Sequence, residues 1–263
     1  MIKSIFIYLI LGYCGLNLFL YFFADRMIFI PPRAGYKDSQ KILKLKTKDG
    51  ALISAIYLPN KHAKYTILFS HGNATDIGYM LPFLEAFKTN GFSVFAYDYH
   101  GYGTSTGISS EKKAYDDVDT AYNYLTQQAG IAPNHIIAYG QSVGAALAID
   151  IASRKPVAGV IAESPFTTAF RVVTHIPLFP FDKFNNIKKI KNIHQPVLII
   201  HGKSDHIVPF WHGKMLYEKA NQPKQYLWME GIDHNDAPWQ TYDNYWQAIH
   251  QFTKRLTDEK GTT

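Results

Sequence analysis

Cysteine is nearly absent from the 263-residue sequence, in which Cys14 stands alone. A single thiol excludes an intramolecular disulfide framework and a thiolate metal cluster. The eleven histidines lack H-E-x-x-H spacing, so neither a metal nor a cofactor is expected. Low-complexity tracts and internal repeats are missing as well. The formal net charge is a modest +6. No nucleic-acid motif accompanies it, which removes nucleic acid from the expected partners. Nothing in the sequence fixes an oligomeric state. Apolar material is plentiful, at 47% hydrophobic against 18% charged residues. That suffices for one sizeable core, in one large α/β domain or two small ones.

The longest uncharged run comes first. Ile5 to Phe23 reads IFIYLILGYCGLNLFLYFF, with Asn17 its only strongly polar residue. As a helix it would span roughly 28 Å, close to the hydrocarbon thickness of a bilayer. A cleaved signal peptide is the competing reading, since Lys3 supplies a small basic start. The run is too long for a signal core, however, and no A-x-A-like site follows it. A core helix would have to be buried on every side. The expectation is therefore a membrane anchor over residues 1–24, with Tyr21, Phe22 and Phe23 as an interfacial aromatic belt. Arg26, Arg33, Lys37 and Lys41 follow the span, while Lys3 and the amino terminus precede it. Counting Lys and Arg places the rest of the chain on the cytoplasmic side.

Residues 25–41, containing the stiff pair Pro31-Pro32, read as a connector. Residues 42–258 read as one α/β domain, followed by a tail at 259–263. Strand-like runs at Ile42–Thr47 and Ile53–Leu58 flank the turn signal Asp49-Gly50, which predicts an antiparallel edge hairpin. Further apolar runs fall at Ile67–Ser70, Ser93–Tyr97, Ile136–Tyr139, Gly159–Ala162, Val197–Ile200 and Gln225–Met229. Helical patterns lie between them, near 76–90, 111–129, 143–153, 210–220 and 239–256. Short runs too apolar for one wet face, alternating with helices, predict a mostly parallel eight-stranded sheet covered on both faces. Chemistry in such sheets gathers beyond the carboxyl ends of the strands.

Gly140-Gln141-Ser142-Val143-Gly144 sits between a predicted strand and a predicted helix. A strand turning sharply into a helix strains the central residue, and small neighbours avoid collisions in that elbow. The turn would lift Ser142 Oγ clear of the sheet at a helix N-terminus, as a nucleophile requires. A serine hydroxyl needs a base, and the base an orienter. Asp205 follows the strand Val197–Ile200, and His234 follows Gln225–Met229, so both loops reach the same rim. His201 and His206 flank Asp205 and are the other candidate bases. Asp233, Asp236 and Glu163 are the other candidate acids, Asp233 reading better as a turn residue. Backbone N–H groups would stabilise an oxyanion. Val143 supplies one by geometry. Asn73, after Ile67–Ser70 in His71-Gly72-Asn73-Ala74, or one of its neighbours, supplies the other. His71 reads as a buried structural histidine.

These segments, with Asp98-Tyr99-His100-Gly101-Tyr102-Gly103-Thr104-Ser105, His201-Gly202-Lys203-Ser204-Asp205 and Gly231-Ile232-Asp233-His234-Asn235, occur in one order. In that order the chain resembles the single-span, membrane-anchored α/β-hydrolase-domain proteins over roughly residues 25–255. That group includes depalmitoylase-like members and is related to serine aminopeptidase-type hydrolases. The resemblance implies the α/β-hydrolase fold, Ser142, Asp205 and His234 as catalytic triad, and Asn73 and Val143 at the oxyanion hole. His100 departs from it, because related sequences usually carry arginine there.

A short cap is expected over about residues 165–192, where lids of this fold are inserted. Its aromatic side chains, Phe166 and Phe170 first, are candidates for holding an acyl chain. Lys183, Lys188, Lys189 and Lys191 form a solvated face or touch anionic headgroups. The expected function is a membrane-anchored serine hydrolase (esterase or thioesterase) whose partners are the bilayer and a small-molecule or lipid-linked acyl substrate. A peptidase or amidase using the same triad is the first alternative. A non-catalytic, membrane-tethered binding protein is the second.

Overall fold

The computed structural model describes residues 2–236 and 238–258, so the tail at 259–263 lies outside the described residues. The chain opens with α1, Ile2–Ile28. Its residues 3–28 have a mean hydropathy of 2.0 over the most apolar stretch, none of it buried within the protein. The helix runs four residues beyond the expected boundary at 24 and ends before Pro31-Pro32, where proline stops the ladder.

Eight strands form one sheet among the described residues: β1 (Ile42–Lys46), β2 (Leu52–Leu58), β3 (Thr66–Ser70), β4 (Ser93–Tyr97), β5 (Ile136–Gln141), β6 (Gly159–Glu163), β7 (Val197–Gly202) and β8 (Lys224–Met229). Their spatial order is β1-β2-β4-β3-β5-β6-β7-β8. The β1–β2 hairpin is antiparallel, with Leu45 opposite Ile53. β2 also runs antiparallel to β4, and every later pairing is parallel. β3, β4 and β6 are buried along their whole length, as continuous apolar runs in a covered parallel sheet must be.

Two hydrophobic clusters divide the core. One packs α3 (Glu111–Asn123) and α4 (Val143–Arg154) on one face through residues such as Val118 and Leu147. The other packs α2 (Leu81–Thr89) and α9 (Asn244–Asp258) on the opposite face through Phe87, Ile249 and Phe252. The stretch expected as the cap, about residues 165–192, contains α5 (Ala169–Thr174) and α6 (Asn186–Lys189). α7 (Trp211–Lys219) precedes β8, and α8 (Pro238–Thr241) precedes α9.

Three helices depart from the periodicity. α2 starts at Leu81 instead of 76, because Asp76 Oδ1 accepts the Gly78 and Tyr79 N–H groups at 2.8 and 3.0 Å, closing a turn. After α3, residues Tyr124–Gln128 widen into a π-helical turn. The long helix expected from 239 divides into α8 and α9. There the Trp239 carbonyl accepts the Trp246 indole N–H at 2.9 Å, which links the two helices across the break.

α1 is also joined to the cap. Tyr13 Oη donates to the Leu178 carbonyl at 2.8 Å, and Lys183 Nζ lies 3.1 Å from Asp25.

Candidate active site

The elbow between β5 and α4 holds Ser142 at φ 55°, ψ −115°, a conformation that costs a non-glycine residue about 1–3 kcal/mol. Both flanking glycines are sterically required. A Cβ on Gly140 would strike the Gly144 carbonyl, and one on Gly144 would strike the Ser70 carbonyl of β3. The Ser142 N–H donates to the Glu163 carbonyl at 2.9 Å, tying the elbow to β6.

The loops after β7 and β8 converge on this serine. His234 Nε2 lies 3.1 Å from Ser142 Oγ, in position to accept the hydroxyl proton. His234 Nδ1 lies 2.8 Å from Asp205 Oδ2. The other oxygen, Asp205 Oδ1, accepts the Ile207 and Val208 N–H groups at 3.0 and 2.7 Å. Burial alone would raise the Asp205 pKa. The hydrogen bonds from His201 and His234 outweigh it and hold the carboxyl well below the ordinary aspartate range. An acid so placed stays ionised at neutral pH and keeps the Nδ1 proton of His234 in place.

The remaining candidates are placed elsewhere. His201 is fully buried behind Asp205. Its Nε2 lies 2.9 Å from the Val208 carbonyl and 3.4 Å from Asp205 Oδ2, so it supports the acid and does not reach the serine. His206 is exposed and pairs with Asp233 at 3.2 Å. Asp233 Oδ1 also accepts the His206 and His234 N–H groups, at 2.9 and 2.7 Å, and so stitches the two loops together. Asp236 Oδ2 accepts the Asp233 N–H at 2.8 Å. Glu163 faces two tyrosines. His71 is buried, stacked on Tyr99 with centroids 4.1 Å apart and bonded through Nδ1 to the Gly72 carbonyl at 2.7 Å. His100 is buried, with Nδ1 2.6 Å from Asp117 Oδ1, and it ties its loop to α3.

Asn73 and Val143 both border the cavity at Ser142. Among the described residues, neither N–H takes part in a backbone hydrogen bond outside the helices and strands. The Asn73 side chain is engaged elsewhere. Its Oδ1 accepts from Tyr102 Oη at 2.5 Å and from the Ile30 N–H at 3.0 Å, and its Nδ2 donates to the Ile28 carbonyl at 2.5 Å. The amide is therefore bound to the end of α1, which leaves the backbone N–H as the group this residue offers to the cavity.

That cavity measures about 570 Å³, enough for a drug-sized ligand. Phe166, Val172, Val173, Ile207 and Trp239 give it apolar walls. Phe170 does not line it. Ala169, Val172 and Val173 share one side of α5 at helical spacing and face the cavity. Phe170 is rotated away from that side and packs edge-on against Phe179 and Phe181 at 5.6 and 5.7 Å. Ile28, the last residue of α1, also lines the cavity. Nothing in the sequence marks it, because its neighbours at the site are supplied by distant segments.

The root of the cap rests on His212, which is fully buried. Its Nδ1 accepts the Thr167 N–H at 3.1 Å. Burial, and then the positive charge of Arg171, push its pKa down to about 3. An unfolded histidine binds a proton below about pH 6.5. Between that pH and 3, the unfolded chain gains a proton that the folded chain refuses, so stability present in full above pH 6.5 is lost as pH falls. The expected slope from this group is at most about 1.4 kcal/mol per pH unit. Urea unfolding in detergent at pH 7, 5.5 and 4.5 should show a steeper loss for the native protein than for His212→Gln. Equal slopes would contradict this assignment.

The strand order, the strained elbow and the helices on both faces define an α/β hydrolase. Solved structures of that fold superpose on the chain. The esterase Pf2001 of Pyrococcus furiosus matches with a TM-score of 0.72 at 22% identity, covering 86% of this chain and 98% of that one. An esterase domain from Rhodothermus marinus gives 0.65 at 19% identity, covering 82% and 98%. The model of the hydrolase family described as serine aminopeptidase, S33, matches residues 61–184. Alpha/beta hydrolase domain-containing protein 17B of Xenopus tropicalis is 41% identical over 225 residues, covering 82% of this chain and 76% of the relative. The human protein of that name is 40% identical over 228 residues, covering 83% and 77%. The chain belongs to this alpha/beta hydrolase domain-containing protein 17 family of hydrolases.

Proposed function

We propose that the protein is a membrane-anchored serine hydrolase that cleaves ester or thioester bonds of acyl, lipid-linked substrates through an acyl-enzyme intermediate. The observation that carries this reading is the continuous chain from Ser142 Oγ to His234 Nε2 at 3.1 Å and from His234 Nδ1 to Asp205 Oδ2 at 2.8 Å. In this reading His234 takes the Ser142 proton as Oγ attacks the substrate carbonyl. Asp205 holds the imidazole tautomer and stabilises the imidazolium. The Asn73 and Val143 N–H groups stabilise the tetrahedral oxyanion, each donor worth about 3–4 kcal/mol. His234 then returns the proton to the leaving group, and water resolves the acyl-enzyme by the same route.

The substrate class is supported by the walls of the cavity, which are apolar on the cap side through Phe166, Val172 and Val173. The anchor is supported by the length and hydropathy of α1, with residues 42–258 as the catalytic domain and about 165–192 as its cap. The Lys and Arg count around α1 favours a cytoplasmic catalytic domain.

An acyl-length series tests the substrate class. Palmitoyl esters and thioesters should exceed butyryl ones in kcat/KM by about tenfold or more, given what each buried methylene contributes. Equal rates on both, with faster hydrolysis of a dipeptide amide, would transfer the protein to the peptidase reading.

A further inference from the structure

Glu163 is a buried ionisable group that acyl transfer leaves unused. It ends β6 at 3% exposure and meets two phenols at 0%, Tyr139 of β5 and Tyr245 of α9. Tyr139 Oη lies 2.6 Å from Tyr245 Oη, Tyr245 Oη lies 2.7 Å from Glu163 Oε2, and Tyr139 Oη also bonds Glu163 Oε2. Three oxygens thus close a triangle.

Proton counting decides its charge. Each edge needs one proton between its oxygens, and the two phenols supply two. An ionised carboxylate supplies none, so one edge would press bare lone pairs together in a site that water does not reach. A carboxylic acid supplies the third proton, and each oxygen then donates once and accepts once. The second carboxyl oxygen does not favour a charge either. Its partner is the Gln141 side-chain amide at 3.4 Å, long for a hydrogen bond. No Lys or Arg pairs with Glu163 among the described residues, and the other titratable groups that act on it are His234 and His201. Burial, the largest influence, pushes its pKa up in spite of the two phenols.

We propose that Glu163 is a neutral carboxylic acid in the working enzyme and acts as a positioning residue, bracing the strand of the nucleophile against the helix that follows the base. The proposal rests on the reading of Ser142 and His234 as nucleophile and base. The brace is geometrically direct. The Glu163 carbonyl receives the Ser142 N–H. Tyr139 stands three residues before Ser142, and Tyr245 opens α9 after the loop that carries His234. Neutrality matters as much as position. It leaves the negative charge beside the base to Asp205, the carboxylate that His234 bonds. A charged Glu163 would add a second buried carboxylate near the base, and removing it would then move the acid limb of the reaction.

Two measurements on the folded full-length chain test this. Infrared difference spectra of the native protein against Glu163→Gln at pH 7 should contain a carboxylic-acid C=O band that the variant lacks. The pH dependence of labelling by a fluorophosphonate probe should show an acid limb at the same pH in both. Glu163→Gln should label about two- to fivefold more slowly, since an amide nitrogen in place of Oε2 fills the three edges but leaves one phenol proton without an acceptor. Tyr245→Phe breaks two edges and should slow labelling about tenfold or more, again with the limb unmoved. Absence of the carboxylic-acid band, or an acid limb in Glu163→Gln lowered by about half a pH unit or more, would overturn the proposal. The infrared result does not depend on catalysis. Failure of the nucleophile assignment would show separately, as labelling that persists in Ser142→Ala.

Discussion

Ser142→Ala abolishes fluorophosphonate labelling and lowers ester hydrolysis by about 10⁴-fold or more, down to the residue left by binding and oxyanion stabilisation. The expectation follows from what the substitution removes and what it leaves. It deletes the one oxygen that His234 Nε2 faces at 3.1 Å. The fold survives, because the φ of 55° at this position strains alanine as it strains serine, and the Ser142 N–H that donates to Glu163 belongs to the backbone. Labelling is read on a gel, and folding is checked by thermal unfolding of both proteins in detergent. Labelling undiminished in the variant would place the nucleophile elsewhere.

Asp205→Asn is the second large effect, about 10⁴-fold in kcat at neutral pH. Its size depends on which way the new amide points. The Ile207 and Val208 N–H groups, at 3.0 and 2.7 Å, require an acceptor on the Oδ1 side. The amide nitrogen must therefore take the Oδ2 side, facing His234 Nδ1. A donor there forces the proton of His234 onto Nε2, which can then no longer accept from Ser142. The fold is little disturbed, since the backbone contacts are kept. Steady-state hydrolysis of a short soluble ester reads the effect independently of any membrane. A loss smaller than about tenfold would mean that Asp205 does not set the tautomer.

Much of this architecture was legible in the chain. The parallel strands were visible because they are buried on both faces and so carry continuous apolar runs, as in Thr66–Ser70 and Gly159–Glu163. The edge hairpin was visible because Asp49-Gly50 divides two alternating runs. Ser142 could be singled out because an elbow needs glycine two residues away on each side, and the structure gives the atoms that forbid anything larger, the carbonyls of Gly144 and Ser70. The start of α2 and the break between α8 and α9 were not legible. The first is decided by a single side chain, Asp76, that takes over two backbone N–H groups, and the second falls where the Trp246 indole reaches back to the Trp239 carbonyl.

Local sequence therefore determined the order of the strands and of the main helices between them, the span of apolar residues in α1, and the loops that carry Ser142, Asp205 and His234. Those properties are written in nearest-neighbour chemistry: periodicity, turn residues and the steric demands of one tight bend. Tertiary structure alone decided which side chains meet. It turned Phe170 away from the cavity and Val172 and Val173 toward it, a choice set by the rotation of α5 against the sheet. It brought Ile28 to the cavity at Ser142 and bound Asn73 to the end of α1. It also closed Glu163, Tyr139 and Tyr245 into one triangle from three separate elements. Contacts of this kind depend on distances between segments far apart in the chain, and no residue in any one segment carries that information.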